Sequence, residues 1–490
     1  MRRTSFAALA AVLGALVAPG ALLAGGFEIA DQGPRAAGRA GAFTVRADDV
    51  SAIDFNPAGL ARVRGTRILV ANRFTYANEE FRRASTLDWS DAAYGIPRLV
   101  NFDHVRNQLP FQALGPMLGV ATDFGLDDWG FALGVYGPPG TASQRFPKDG
   151  AQKYMLVERE VLIVYYTASA AWKYKELFGF GASLQWVDLP SITFDLIING
   201  NTSPRMVEPE KSRFDVENRI TGSDRVNFTG IVGGWYKPWS FLELAASARV
   251  APVHFRARSH MSVVPLNLEL DEPPELTRDG KPDDTVTFSM SFPVKLRAGA
   301  RYIHERNGVE LFDLELDLGW EQWSVVDSFT MDASGLITEV MGQALEPGVI
   351  QMRRNWKDTW SLRLGGDWNT LPDWLSLRGG FLFETGATPK GYEYIDVMSF
   401  LRFGPSAGFT VRHWGFDLSA AYTYIFQMPS VVTEAEARVY QQMPGSLCKA
   451  PYTDTVNCSA HYLGQPAAAA NAGTWLSDYH FVSVGMGYAF

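Results

Sequence analysis

Cysteine is almost missing from this chain of 490 residues, which has only Cys448 and Cys458. That leaves no CxxC redox motif and no thiolate zinc cluster. In an exported chain, two such cysteines in a polar stretch most simply form one local disulfide that staples a loop. An excess of positive charge is missing too. With 44 Lys and Arg against 53 Asp and Glu, a net charge of -9 and no basic block, the chain lacks the footprint of a nucleic-acid binder. The body of the sequence has no apolar run of the roughly 18 residues that a transmembrane helix needs. The histidines are scattered and neither HExxH nor GxSxG occurs, so no metal, cofactor or enzymatic site is expected. What is abundant is apolar and aromatic: 47% hydrophobic residues, with 14 Trp, 18 Tyr and 31 Phe, which excludes a disordered chain.

The first residues have the layout of a secretory signal peptide. Arg2 and Arg3 precede an apolar run from Phe6 to Val17, followed by Pro19, Gly20 and small residues up to Ala24. Residues 1–24 are therefore expected to be removed on export.

Period-2 patterning dominates the rest. From Phe416 to Phe426 one face carries Phe416, Leu418, Ala420, Tyr422, Tyr424 and Phe426, and the other carries Asp417, Ser419, Ala421 and Thr423. Phe312, Leu314, Leu316, Leu318 and Trp320 alternate in the same way with Asp313, Glu315, Asp317 and Gly319. Strands of a soluble sandwich are mostly about 5 to 6 residues long, whereas these are long enough to cross a bilayer.

Connections give an independent test. Short links fall near 123–128, 173–177, 237–240, 304–308, 369–374 and 412–415. Longer, polar ones fall at 83–108, 147–152, 198–225, 263–284, 329–353, 388–396 and 429–475. Six tight turns and seven outer loops join fourteen strands, the alternation of an outer-membrane barrel. Trp172, Trp235, Trp239, Trp374 and Trp414 sit beside short turns and are expected to form the inner aromatic girdle. The closing run to Tyr488-Ala489-Phe490 is an alternating strand. The expectation is an all-β, 14-stranded antiparallel transmembrane β-barrel over residues 63–490.

Residues 25–62 stand outside this pattern, being Gly- and Ala-rich and weakly periodic. Gly26-Phe27, Gly38-Arg39-Ala40, Ala47-Asp48-Asp49 and Asn56-Pro57-Ala58 occur in order before the fourteen-strand body. In this ordered set the chain resembles the FadL/TodX family of outer-membrane channels for long-chain fatty acids and hydrophobic compounds. The resemblance implies that residues 25–62 form an N-terminal hatch inside the lumen. It also implies passive uptake of a hydrophobic small molecule, a fatty acid, hydrocarbon or other lipid, without catalysis. A Gram-negative outer membrane is the implied location, with its lipids and the barrel assembly machinery as partners and a monomer as the unit.

Tyr136-Gly137-Pro138-Pro139-Gly140 interrupts the third strand. The prolines give no N–H to the ladder, and Trp129 to Tyr136 is short for a crossing, so a kink is expected with the wall resuming over Thr141 to Phe146. By resemblance, Gly137, Pro138, Pro139 and Gly140 border a lateral opening beside Asn56, Pro57 and Ala58. Capture by outer loops, passage through a pocket near Phe27 and sideways release would follow.

Lys295, Arg297 and Arg301 share one face of the eighth strand, opposite Asp313, Glu315 and Asp317 on the ninth. They are candidates for a ligand carboxylate, although the complementary sets fit cross-strand ion pairs better. Arg363 and Arg378 face the lumen with Asp367 and Glu384. The family's basic residues in the fifth strand are not matched by Gln185 to Asp195, which makes a neutral hydrocarbon as credible as a fatty acid. The acidic stretch at 271–284 reads as a solvated loop. Thr433-Glu434-Ala435-Glu436 has capping-box spacing and predicts a short helix to about Gln442. A diffusion porin or a structural barrel is the alternative reading.

Overall fold

A computed structural model describes residues 32–88, 98–113, 115–138, 143–199, 215–266, 274–340, 343–440 and 469–490. The signal segment 1–24, Phe27, Pro139, Gly140, Cys448 and Cys458 lie outside the described residues.

Fourteen antiparallel strands close on themselves. They are β1 (Thr66–Arg83), β2 (Met117–Thr122), β3 (Trp129–Tyr136), β4 (Glu158–Tyr174), β5 (Phe178–Asn199) and β6 (Asp215–Trp239). Four strands then come in two pieces each: β7 (Leu242–Arg249, Val253–Pro265), β8 (Thr285–Phe292, Lys295–Arg306), β9 (Val309–Glu321, Ser328–Ala333) and β10 (Gly348–Arg353, Thr359–Leu371). β11 (Leu375–Glu384), β12 (Arg402–His413), β13 (Phe416–Gln427) and β14 (Gly473–Ala489) complete the wall. β1 pairs with β14 from Arg67↔Ala489 to Arg83↔Gly473 and with β2 from Thr66↔Thr122, so no edge is left open.

Around the wall the side chains divide by parity. On β9, Phe312, Leu314, Leu316 and Leu318 are exposed, while Asp313, Glu315 and Asp317 are buried. The apolar set faces lipid and the charged set faces the lumen. Of the expected girdle, Trp239, Trp374 and Trp414 are exposed, but Trp235 is buried. It lies on the lumenal parity of β6 and donates from Nε1 to the Ala58 carbonyl at 3.0 Å.

The outer halves of several strands correct the expected loops. Residues 215–225 continue β6, and the region 329–353 holds the outer pieces of β9 and β10. The reason is an inversion of the pattern. In the outer piece of β7, Val253, Phe255, Ala257, Met261 and Val263 are buried, and His254, Arg256, Arg258 and His260 are exposed. Beyond the lipid belt the outside is water and the inside is a packed apolar core, so the apolar face turns inward. The breaks at Pro252 and Pro293, and the 3-10 turn Trp323–Val325, mark the level where this happens. Phe255 packs on Phe292 at 5.4 Å, and Trp323 and Phe329 both pack on Trp356, at 5.3 and 5.9 Å. The predicted helix after Thr433 is a turn. Thr433 Oγ1 donates to Glu436 at 2.8 Å, but regular helix does not follow.

Candidate functional site

Residues 32–63 occupy the lumen as two one-turn helices, α1 (Pro34–Ala37) and α2 (Ala52–Phe55), and a 3-10 turn over Pro57–Arg62. Small residues let this segment lie against the wall. A Cβ on Gly181 of β5 would come within 2.4 Å of the Ala58 nitrogen, and one on Gly365 of β10 within 2.4 Å of the Arg39 carbonyl oxygen.

Charge then locks it in place. The fully buried Arg39 guanidinium donates to Asp313 at 2.9 and 2.8 Å, to Asp367 at 2.9 Å and to Glu315 at 2.9 Å, while its Nε reaches the Ala42 carbonyl. Arg46 adds Glu310 at 2.9 Å and Asp313 at 3.0 Å. Main-chain N–H groups complete the set: Phe43 and Thr44 donate to Asp317, and Val45 and Arg46 to Glu315. A buried carboxylate cluster needs this density of donors to remain charged.

Of the basic candidates, Arg301 belongs to the same network. Lys295 pairs with Glu321 at 3.0 Å, and Arg301 pairs with Glu243, Glu310 and Asp313. Arg297 donates to the Asp54 carbonyl at 2.9 Å and lies over the Phe55 ring at 4.9 Å. Lys295 and Arg301 thus tie neighbouring wall strands together, and Arg297 ties the wall to the lumenal segment. Arg378 pairs with Asp367 and Arg363 with Glu384.

In the wall, β3 loses its ladder after Tyr136. Tyr136 faces Tyr165 of β4, and the next pair among the described residues is Gln144↔Arg159. On the other side Met117↔Tyr136 is the last β2 pair; beyond it Gln112 Nε2 donates to the Ser143 carbonyl at 3.1 Å and Gln108 N to the Arg145 carbonyl at 2.8 Å. Pro138 has no N–H to give, and Gly137 offers its carbonyl to the Gln32 side chain instead of a strand. Tyr136 donates to Asp54 at 3.3 Å. The neighbours of this interruption in the lumenal segment are thus Gln32 and Asp54. Asn56, Pro57 and Ala58, expected beside it, pack instead against Gly181, Gly233 and Trp235 of β5 and β6, with Asn56 Nδ2 donating to the Thr44 carbonyl at 2.9 Å.

A small cavity opens beside the interruption. Ala77, Leu109, Val397, Met398 and Phe481 give it an apolar wall, and Gln112, Ser143 and Gln144 join it to the gap. Glu79 is buried here and accepts from Gln144 at 2.7 Å, Asn107 at 3.0 Å and Tyr479 at 3.5 Å, while Arg159 donates to the Asp396 carbonyl at 2.7 Å. The roof is the segment 385–401 between β11 and β12, which folds inward. Arg354 anchors it through two bonds to Asp396, at 2.7 and 2.6 Å, between the rings of Phe329 and Tyr394. Sequence reasoning placed 388–396 among the outer loops and missed Glu79, Arg159 and Arg354. Arg159 does lie on the parity of the buried Thr167 and Lys173, which was the available signal.

Comparison with known proteins agrees with this arrangement. The profile of a family described as "Outer membrane protein transport protein (OMPP1/FadL/TodX)" matches residues 15–204 and 295–470. The structure is similar to a Pseudomonas aeruginosa FadL homologue, with TM-score 0.72 and 16% identity over 95% of this chain and 100% of that one. It is also similar to the Ralstonia pickettii toluene transporter TbuX, with TM-score 0.58 and 11% identity over 95% and 100% of the two chains. For the Pseudomonas putida toluene transporter TodX the TM-score is 0.58 and the identity 11% over 90% and 94%. No curated protein sequence gives a match.

Proposed function

The chain belongs to the OMPP1/FadL/TodX family of outer-membrane transport proteins, and on that premise we propose that it takes up hydrophobic small molecules and releases them sideways into the membrane beside Gly137. It is a Gram-negative outer-membrane barrel that transports hydrophobic compounds. The finer reading is carried by one observation: among the described residues the regular strand of β3 stops at Tyr136, before Gly137 and Pro138, next to a mostly apolar cavity. Each CH2 returned to water costs about 0.8 kcal/mol, so a sideways exit into lipid avoids the step that would oppose transport of an apolar solute.

In this reading the outer loops capture the compound, the cavity under residues 396–398, about 40 Å³ as it stands, widens to receive it, and movement of Gln32 and its neighbours opens the way past Gly137. The hatch blocks the aqueous route. Two of the similar structures are described as toluene transporters, which favours including a neutral hydrocarbon among the substrates. A fatty acid is the other class to test.

The test is uptake of labelled oleate and, separately, labelled toluene by an outer-membrane host without its own importer. The wild type is compared with a variant carrying valine at positions 138 and 139. Uptake of either compound that the variant loses supports lateral release and names the class. Uptake of neither, together with steady ion conductance in planar bilayers, overturns the reading in favour of a porin.

A further inference from the structure

The outer piece of β7 presents an unusual face to the outside. His254, Arg256, Arg258 and His260 all point outward and are exposed. Directly across the ladder on β8 stand Ser291, Ser289, Thr287 and Thr285 in the same order. Four cationic or imidazole side chains are therefore matched, residue by residue, with four hydroxyls.

Three carboxylates stand near this face, and one of them, Asp283, interacts electrostatically with Arg258. Asp224 accepts from the main-chain N–H of Arg256 at 2.8 Å, Asp284 from His260 at 2.8 Å, and Asp283 pairs with Arg278 at 3.1 Å. Other cations of the outer rim are neutralised within the protein, Arg225 by Asp188 and Arg219 by Asp195 and Glu158. Among the described residues, neither Arg256 nor Arg258 has a carboxylate within ion-pair distance.

Height decides what such a face would meet. A strand tilted by about 40° climbs about 2.6 Å per residue along the membrane normal. β7 leaves its inner turn at Leu242, so Val250, which is exposed, is about 21 Å up, and Arg256 is about 36 Å up. The apolar band of such barrels is about 25 Å tall, which places Arg256 about 11 Å and Arg258 about 17 Å above it, in the polar layer outside the hydrocarbon.

We propose that this face binds the phosphate groups of a phosphorylated glycolipid of the outer leaflet, with Arg256 and Arg258 as the anion ligands and the Ser/Thr row of β8 donating to phosphate or sugar oxygens. Guanidinium groups bind phosphate through paired donors, and basic clusters at a membrane surface recognise anionic head groups in this way. The site lies outside the transport route and does not depend on its details.

The experiment uses the full chain in phosphatidylcholine nanodiscs containing about 10% of a bis-phosphorylated lipid A, or the same lipid with its phosphates removed. Native mass spectrometry counts the glycolipid retained. The wild type should keep the phosphorylated form, and R256Q/R258Q should bind it roughly 30-fold more weakly, the effect of two surface arginines. R256K/R258K should retain most of the binding, and heat-modifiable gel migration should show that all variants are folded. Equal retention of the dephosphorylated lipid, or unchanged retention by folded R256Q/R258Q, overturns the proposal.

Discussion

Replacing Arg39 with alanine should free the lumenal segment and leave the wall folded. The guanidinium is fully buried and makes five hydrogen bonds, four of them to Asp313, Glu315 and Asp367. In its absence Asp313 keeps Arg46 and Arg301, and Asp367 keeps Arg378. Among the described residues Glu315 has no other salt-bridge partner, and it retains the main-chain donors of Val45 and Arg46, which belong to the segment being released. Removing one partner from a buried ionic cluster costs about 3–5 kcal/mol, because the remaining charge stays buried. The barrel is closed by its own ladder, so the loss falls on docking of residues 33–62. Their amide hydrogen exchange should accelerate roughly 150- to 5,000-fold, while amides of β1 to β14 keep their protection. Glu315→Gln in the Arg39→Ala background should recover part of the protection by removing the stranded charge. Exchange over 33–62 within about threefold of wild type, or equal loss of protection throughout the wall, would refute the reasoning.

Gly181→Val should displace the segment sterically, since its Cβ would stand 2.4 Å from the Ala58 nitrogen, and planar-bilayer recordings should show conductance that the wild type lacks. Arg354→Ala removes both bonds to Asp396 and two ring contacts, and at about 3–5 kcal/mol should accelerate exchange in 385–401 while 33–62 stays protected. Lys390, with the N–H and hydroxyl of Thr433, holds the Glu436 carboxyl down to about 2 from its ordinary 4.5. A lowered pKa means these contacts contribute fully above pH 4.5 and fade as pH falls towards about 2, so the amides of Glu436 and Ala437 should lose protection in that window and Glu436→Gln should abolish the dependence.

Strand number and turn positions were legible because lipid on one side and a polar lumen on the other impose alternation throughout the belt. The outer pieces of β9 and β10 read as loops because that contrast reverses there. Phe329, Met331, Ile350 and Met352 are buried inward, and the outward residues look like a polar linker. Asp313, Glu315 and Asp317 were visible as a charged face, but the donors that the lumenal segment brings to them, the Arg39 and Arg46 side chains and the main-chain N–H groups of Phe43 to Arg46, are more than 260 residues away in sequence. Alternation reports which face a residue is on and cannot report what a separate segment brings to it. Trp235 was misassigned by position beside a turn, although its parity, opposite to that of the exposed Val232 and Tyr236, already pointed inward.

The reversal of polarity at Pro252 also gives this wall two rules of tolerated substitution on a single strand. Below the proline an outward position such as Ala246, about 10 Å up, must be apolar, and a guanidinium there would cost about 2–4 kcal/mol. Above it, at Arg256, the same outward direction must be wettable, and a leucine would add to a sticky patch on the cell surface. A substitution table for this protein is therefore indexed by height as much as by face, and hydropathy averaged along β7 would misjudge both ends.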